Sequence, residues 1–186
     1  MLRLVYRLAP RRLYRGLARQ ATALHPRLVV DIGGGAGLLA AELAAQERRP
    51  CLILVVDPDT GLLADAPSSP LIERVAAVAE HLPLRSGSAD VALFHDSLHH
   101  IPDPEAALVE AARVSRCVLV DDFDTGRLAG RLVALMERLS GYPASFLPPS
   151  RVGEILEGLG LRRVSIGGGS LPATYRLLAC REELES

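Results

Sequence analysis

Apolar residues along the chain fall into short β-branched runs separated by stretches of helical period. The runs at 27–32, 51–56, 75–79, 89–94 and 117–121 read as buried strands, the first stopping at glycines and the second closed by Asp57-Pro58. Between them, 38–48 has a helical pattern, and 61–74 reads as a broken helical connection because it contains Pro67 and Pro70. Asp103-Pro104-Glu105 supplies a cap, a first-position proline and an early acid for a helix through Val114. Leu128, Leu132, Leu135 and Leu139 mark a helix face that stops before Gly141-Tyr142-Pro143. Ser150 then caps a short helix to Leu159, with Gly160 at a left-handed end. Two last strands, 161–166 and 174–180, are joined by a Gly-Gly-Gly-Ser turn. Ahead of all this, Leu4, Leu8, Leu13 and Leu17 lie among arginines, which predicts one or two amphipathic helices interrupted near Pro10.

Five strand–helix alternations predict a parallel sheet, and the short last link predicts an antiparallel edge. The expected fold is therefore α/β: a doubly wound, mostly parallel seven-stranded sheet of Rossmann-like type with an antiparallel edge strand. At 186 residues the chain suits one domain over 1–186, with 1–27 as an N-terminal helical extension.

Composition excludes several classes. The chain is 49% hydrophobic and 23% charged, the balance of a globular protein. No apolar run approaches the roughly 20 residues that span a bilayer, and Arg3 and Arg7 interrupt the start where a signal peptide would be apolar. No integral membrane segment is expected, and the expected location is cytoplasmic. Cys51, Cys117 and Cys180 are widely spaced and odd in number, which predicts buried reduced thiols rather than a disulfide framework or a zinc site. The net charge of −1 hides a split: residues 1–30 hold seven arginines and no acid, while the other 14 arginines face 22 carboxylates. All the basic residues are arginine.

The motif with most chemical content is Val29-Val30-Asp31-Ile32-Gly33-Gly34-Gly35-Ala36-Gly37. A strand runs into a glycine turn that opens a helix, at the carboxyl edge where such sheets bind ligands. Glycine lets the backbone turn sharply and approach a ligand closely, and the helix start offers free N–H groups. Gly35-Ala36-Gly37-Leu38-Leu39-Ala40 satisfies the looser GxGxxA form of a dinucleotide site. Asp31 argues against that ligand: a carboxylate at the strand end repels a pyrophosphate but suits an ammonium and a sulfonium. S-adenosylmethionine carries both, and its own carboxylate can use the helix N-terminus. Asp57, closing the next strand, can accept hydrogen bonds from both ribose hydroxyls of an adenosine, or act simply as a strand-end cap.

These residues resemble the class I S-adenosylmethionine-dependent methyltransferases, whose first motif (D/E)xGxGxG is met by Asp31, Gly33, Gly35 and Gly37. The ordered series Ala79-Glu80-His81-Leu82-Pro83-Leu84, Ser88-Ala89-Asp90-Val91-Ala92-Leu93 and Leu98-His99-His100-Ile101-Pro102-Asp103 is similar to the subgroup that includes the ubiquinone and menaquinone biosynthesis enzymes. The resemblance implies S-adenosylmethionine as cofactor, with Asp57 at the ribose, Leu62 packed on adenine, and Ala79 and Glu80 near it. It departs at Val78, where that family usually has an acid for the adenine amino group.

Methyl transfer from a sulfonium needs positioning more than a fixed triad, and a base only where the acceptor must lose a proton. His95 and Asp96, at the fourth strand's carboxyl end, are the catalytic candidates, and His95 is also a candidate cofactor contact. His99 and His100 open toward a helix, at least one in a structural role. Asp121, Asp122 and Asp124 are read as water-facing strand-end acids, so no metal is expected. Tyr6, Tyr14, Tyr142 and Phe146 hint at a small, apolar or aromatic acceptor. Nucleic acid is not expected as a partner, because the rest of the chain is acidic and aromatics are 4%. Two rivals remain: a non-catalytic relative that keeps the fold, and an NAD(P)-dependent oxidoreductase.

Overall fold

The structure, a computed structural model, describes residues 12–46, 51–141 and 144–182. Tyr6, Tyr142 and the first arginines lie outside them. Strands β1 (Leu28–Ile32), β2 (Leu52–Asp57), β3 (Ile72–Ala76), β4 (Ala89–His95), β5 (Ser115–Phe123), β6 (Arg162–Gly168) and β7 (Thr174–Cys180) form one sheet. Its spatial order is β3-β2-β1-β4-β5-β7-β6. The first five strands are parallel, and β7 runs antiparallel to both β5 and β6 at one edge.

Burial explains the near-continuous apolar runs of β1, β4 and β5, since helices cover both faces. On one face, α1 (Arg12–Ala23) and α2 (Leu38–Ala44) bury Tyr14, Leu17, Ala18, Leu39 and Leu43 against Val29, Val55, Val91 and Leu93. On the other, α4 (Pro104–Val114) and α6 (Pro149–Gly158) bury Leu108, Ala111 and Leu156 against Phe94, Val118 and Leu177. Asp103 caps α4 as expected, accepting the Ala106 N–H at 2.9 Å. The 61–74 connection holds a single short helix, α3 (Thr60–Ala64), capped by Asp59. By contrast α5 (Leu128–Leu139) buries only Gly130 and leaves Leu128, Leu132, Leu135 and Leu139 exposed.

Four expectations are corrected. The third strand is Ile72–Ala76 rather than 75–79, because it starts two residues after Pro70 and pairs Ile53 to Asp57 of β2 with Ile72 to Ala76. Ser150 does not cap α6; Pro148 holds that position in extended backbone and the helix begins at Pro149. Cys117 and Cys180 are not reduced thiols: β5–β7 pairing sets them directly opposite each other and they form a disulfide, leaving Cys51 free and buried. Asp121 and Asp122 do not face water, being 1% and 3% exposed. Inward-facing partners account for them. Asp121 accepts from Arg176 and Ser170, and Asp122 accepts from the His99 backbone N–H. Asp124 caps the next turn through the Gly126 N–H.

Candidate active site at the strand-order reversal

The sheet reverses direction of winding between β1 and β4, and loops leave both strands in opposite directions there, opening a crevice at their carboxyl ends. Register aligns the site: Ile32 pairs with Val56 and Phe94, so the turn after β1, Asp57 and His95 come together. A cavity of about 340 Å³ occupies this crevice.

Its floor is the glycine turn. Gly33, Gly35 and Gly37 have φ of +69°, +52° and +67°, backbone that costs a residue with a Cβ about 1–2 kcal/mol. Gly33 is also pressed by the residue two places past β4: an added Cβ would lie 2.7 Å from the Ser97 Cβ. Ser97 fixes the turn by donating to the Ile32 carbonyl at 2.8 Å. Gly34 has ordinary φ, yet a Cβ there would lie 2.7 Å from Asp31 Oδ2 and 2.9 Å from Val55 Cγ1. Neither Gly34 nor Ser97 stands out in the sequence, because both needs arise from neighbouring strands.

Of the sequence-predicted residues, Asp31, Gly33, Gly35, Asp57, Leu62, Ala79, Glu80, His95 and Asp96 all line the cavity. Gly37 does not. It starts α2 behind the wall, and a Cβ there would lie 3.0 Å from Ala66 Cβ. Val78 and Tyr14 are on the wall too. Tyr14 reaches it from α1, with its ring 5.0 Å from that of His95. Phe146 instead stacks on His99.

Asp57 braces the turn, accepting the Gly35 N–H at 2.9 Å and the Asp59 N–H at 2.8 Å. A carboxylate has about four acceptor sites, so capacity for hydroxyl donors remains. Burial, with Asp57 adding to it, pushes the Asp31 carboxyl up to about 7. Its Oδ2 is buried without a hydrogen-bond partner. That group is a costly orphan unless a donor or cation meets it. Asp96 repeats the pattern: φ is +53° although it is not glycine, Oδ1 is buried and unpartnered, and burial outweighs nearby His99 to push the carboxyl up to about 7. His95 is shifted the other way, burial lowering its pKa against the pull of Asp121 and Asp122.

Comparison with known proteins gives the same picture. Residues 30–117 match a family model described as a methyltransferase domain. An uncharacterized methyltransferase of Mycobacterium sp. (strain JLS) is 34% identical over 64% of this chain and 48% of its own. A ubiquinone/menaquinone biosynthesis C-methyltransferase of Rubrivivax gelatinosus is 33% identical over 59% of this chain and 42% of its own. Over the matched segment the chain is similar to the class I S-adenosylmethionine-dependent methyltransferases.

The chain spans about half the length of the curated relatives it matches first. Its fold is that of magnesium protoporphyrin IX methyltransferase from Synechocystis PCC 6803, solved with bound SAH. The TM-score is 0.74 at 19% identity, over 92% of this chain and 83% of that one. The cavity fits S-adenosylmethionine in the chemistry of its lining: an unpartnered buried carboxylate can meet a cationic group, and a glycine bend leaves room beside it. No helix among the described residues is long and apolar enough to cross a membrane.

Proposed function

We propose that this chain transfers the methyl group of S-adenosylmethionine to a small organic acceptor. The unpartnered carboxylate oxygen of Asp31, buried at the glycine bend, carries the reading. When bound, the cofactor supplies an electrophilic methyl carbon on a sulfonium that leaves as a neutral thioether. In this reading Asp31 holds the ammonium of the methionine part, Gly33 and Gly35 let the backbone approach it, and Asp57 accepts from the ribose hydroxyls. Leu62 packs on adenine, Ala79 and Glu80 close the far end, and Gly37 serves the turn from behind. Val78 stands where the resembling family usually has an acid for the adenine amino group, so adenine is held by apolar contact more than by charge.

His95 and Asp96 face the acceptor. Burial keeps the His95 ring neutral and holds the Asp96 carboxyl near 7, so each can take a proton that an acceptor sheds as it attacks the methyl carbon. Tyr14, packed beside His95, supplies an apolar and aromatic wall for such an acceptor.

Thermal shift is the direct test. A ligand at about 100 times its Kd stabilises by roughly 2.7 kcal/mol, a rise of about 5–10 °C for a domain of this size. S-adenosylmethionine and S-adenosylhomocysteine should give that rise, NAD and NADP none, and Asp57→Ala should lose it. A response to NAD alone overturns the assignment. A shift with S-adenosylmethionine but no labelled methyl passed to any small acceptor reassigns the chain as a binding module.

A further inference from the structure

We propose that His99, His100 and Glu137 form a binding site for one divalent transition-metal ion of the zinc class, with Asp122 orienting His99. The site does not depend on the methyl-transfer reading. It joins the 3₁₀ turn after β4 (Leu98–His100) to α5.

His99 is fixed from every side. It is 2% exposed, its Nδ1 lies 2.5 Å from Asp122 Oδ1, its ring stacks 4.8 Å from Phe146, and Phe123 meets it edge-on. With Nδ1–H donated to Asp122, the Nε2 lone pair points toward Glu137 Oε1, 3.3 Å away. The same oxygen lies 3.7 Å from His100 Nε2. Two imidazole nitrogens thus converge on one carboxylate oxygen. Glu137 Oε2 stays buried without a partner.

A single cation satisfies all three groups. Metal–nitrogen and metal–oxygen bonds of about 2.0–2.1 Å at tetrahedral angles place ligand atoms about 3.4 Å apart, which the two observed separations bracket. The three ligand atoms lie within 4.8 Å of one another. A carboxylate on the far nitrogen of a ligating histidine sets its tautomer and raises its basicity, and Asp122 stands there. Two imidazoles and one carboxylate suit zinc-class ions better than magnesium or calcium. Asp96, with its buried unpartnered Oδ1, adjoins His99 and Asp122 within the same 4.8 Å limit. His100 and Asp96 both belong to the cavity wall, so the fourth coordination position lies on that side. The ion would also tether α5, whose remaining burial is Gly130 alone.

The full chain, free of any polyhistidine tag and stripped with EDTA, is titrated with zinc by calorimetry and with cobalt(II) by visible absorption. We expect one equivalent bound, the intense visible bands of tetrahedral cobalt, and slower amide hydrogen exchange across α5 when zinc is added. Glu137→Gln and His100→Ala should each weaken binding at least about 10-fold, and Asp122→Asn about 10–100-fold. The double variant His25→Ala/His81→Ala, which removes the other exposed histidines, should bind as before. Absence of saturable uptake by the folded wild-type chain overturns the site, as does uptake unchanged in Glu137→Gln and His100→Ala. Where a variant does not fold, exchange across α5 in the wild-type chain decides, and no slowing with zinc counts against the site.

Discussion

Replacing Asp31 with asparagine separates the cost of a buried charge from its use. Asp31 is 1% exposed, and burial lifts its carboxyl from an ordinary 3.8 to about 7. At about 1.4 kcal/mol for each tenfold change in acidity, the ionised group costs the ligand-free protein up to about 4 kcal/mol. The folded state keeps a proton that the unfolded chain releases between pH 4 and 7, so stability should fall as pH rises through that window and level off above it. The asparagine side chain of the variant does not titrate. It brings an amide donor into a site with no evident acceptor, at about 1–3 kcal/mol. At pH 8 the ligand-free Asp31→Asn chain should therefore be about 1–3 kcal/mol more stable than wild type, and at pH 4.5 less stable. Cofactor binding should move oppositely: losing a charge-assisted contact of about 1.5–3 kcal/mol weakens it about 10–100-fold. Urea denaturation from pH 4.5 to 8, with and without S-adenosylmethionine, reads both effects. Asp96 titrates in both proteins, so the difference between their curves isolates Asp31. Parallel curves, or equal affinity for the cofactor, would refute the reasoning.

Other expectations follow from the same geometry. Gly33→Ala combines φ of +69° with a contact of 2.7 Å to Ser97 Cβ, and thermal melting should show a loss of about 2–4 kcal/mol. Ser97→Gly in the same chain should relieve the contact but give up the hydrogen bond to the Ile32 carbonyl, so it recovers less than the contact part. With an acceptor that must lose a proton, the methyl-transfer rate should rise with pH through about 7 as Asp96 ionises. Asp96→Asn should flatten that limb and lower kcat about 10²–10⁴-fold while leaving cofactor affinity unchanged. Without reductant, the unfolded chain should react with a thiol reagent at Cys51 alone, and after reduction at all 3 cysteines. Cleaving the Cys117–Cys180 bond, which spans 63 residues, should lower stability by about 4 kcal/mol in a chain-entropy account.

What could be read in the sequence was what depends on near neighbours in the chain. The glycine turn was legible because left-handed backbone, a strand before it and a helix after it are local demands, and three of its glycines do sit at positive φ. Asp103 and Gly160 were legible for the same reason. The disulfide was not, because Cys117 and Cys180 become neighbours only when β7 inserts beside β5. Spacing along the chain carries no trace of that insertion.

The acid run after β5 shows why charge pattern alone misleads about burial. Three nearby carboxylates in a strand-end sequence resemble a solvated rim, and Asp124 does cap an ordinary turn. Asp121 and Asp122 point to opposite faces of one strand, and each meets a cation or donor brought from elsewhere: Arg176 from β7 on one side, His99 from the turn after β4 on the other. Removing either partner would strand a buried charge, at about 3–5 kcal/mol for a paired ion. The leucines of α5 make the converse case. Their period specified a helix correctly, yet period cannot say what the face meets, and here it meets solvent. What holds that helix near the cavity is Glu137, on the face opposite the leucines, through the histidines it faces. The placement of α5 therefore rests on a polar contact between distant segments, the kind of interaction that topology creates and periodicity does not record.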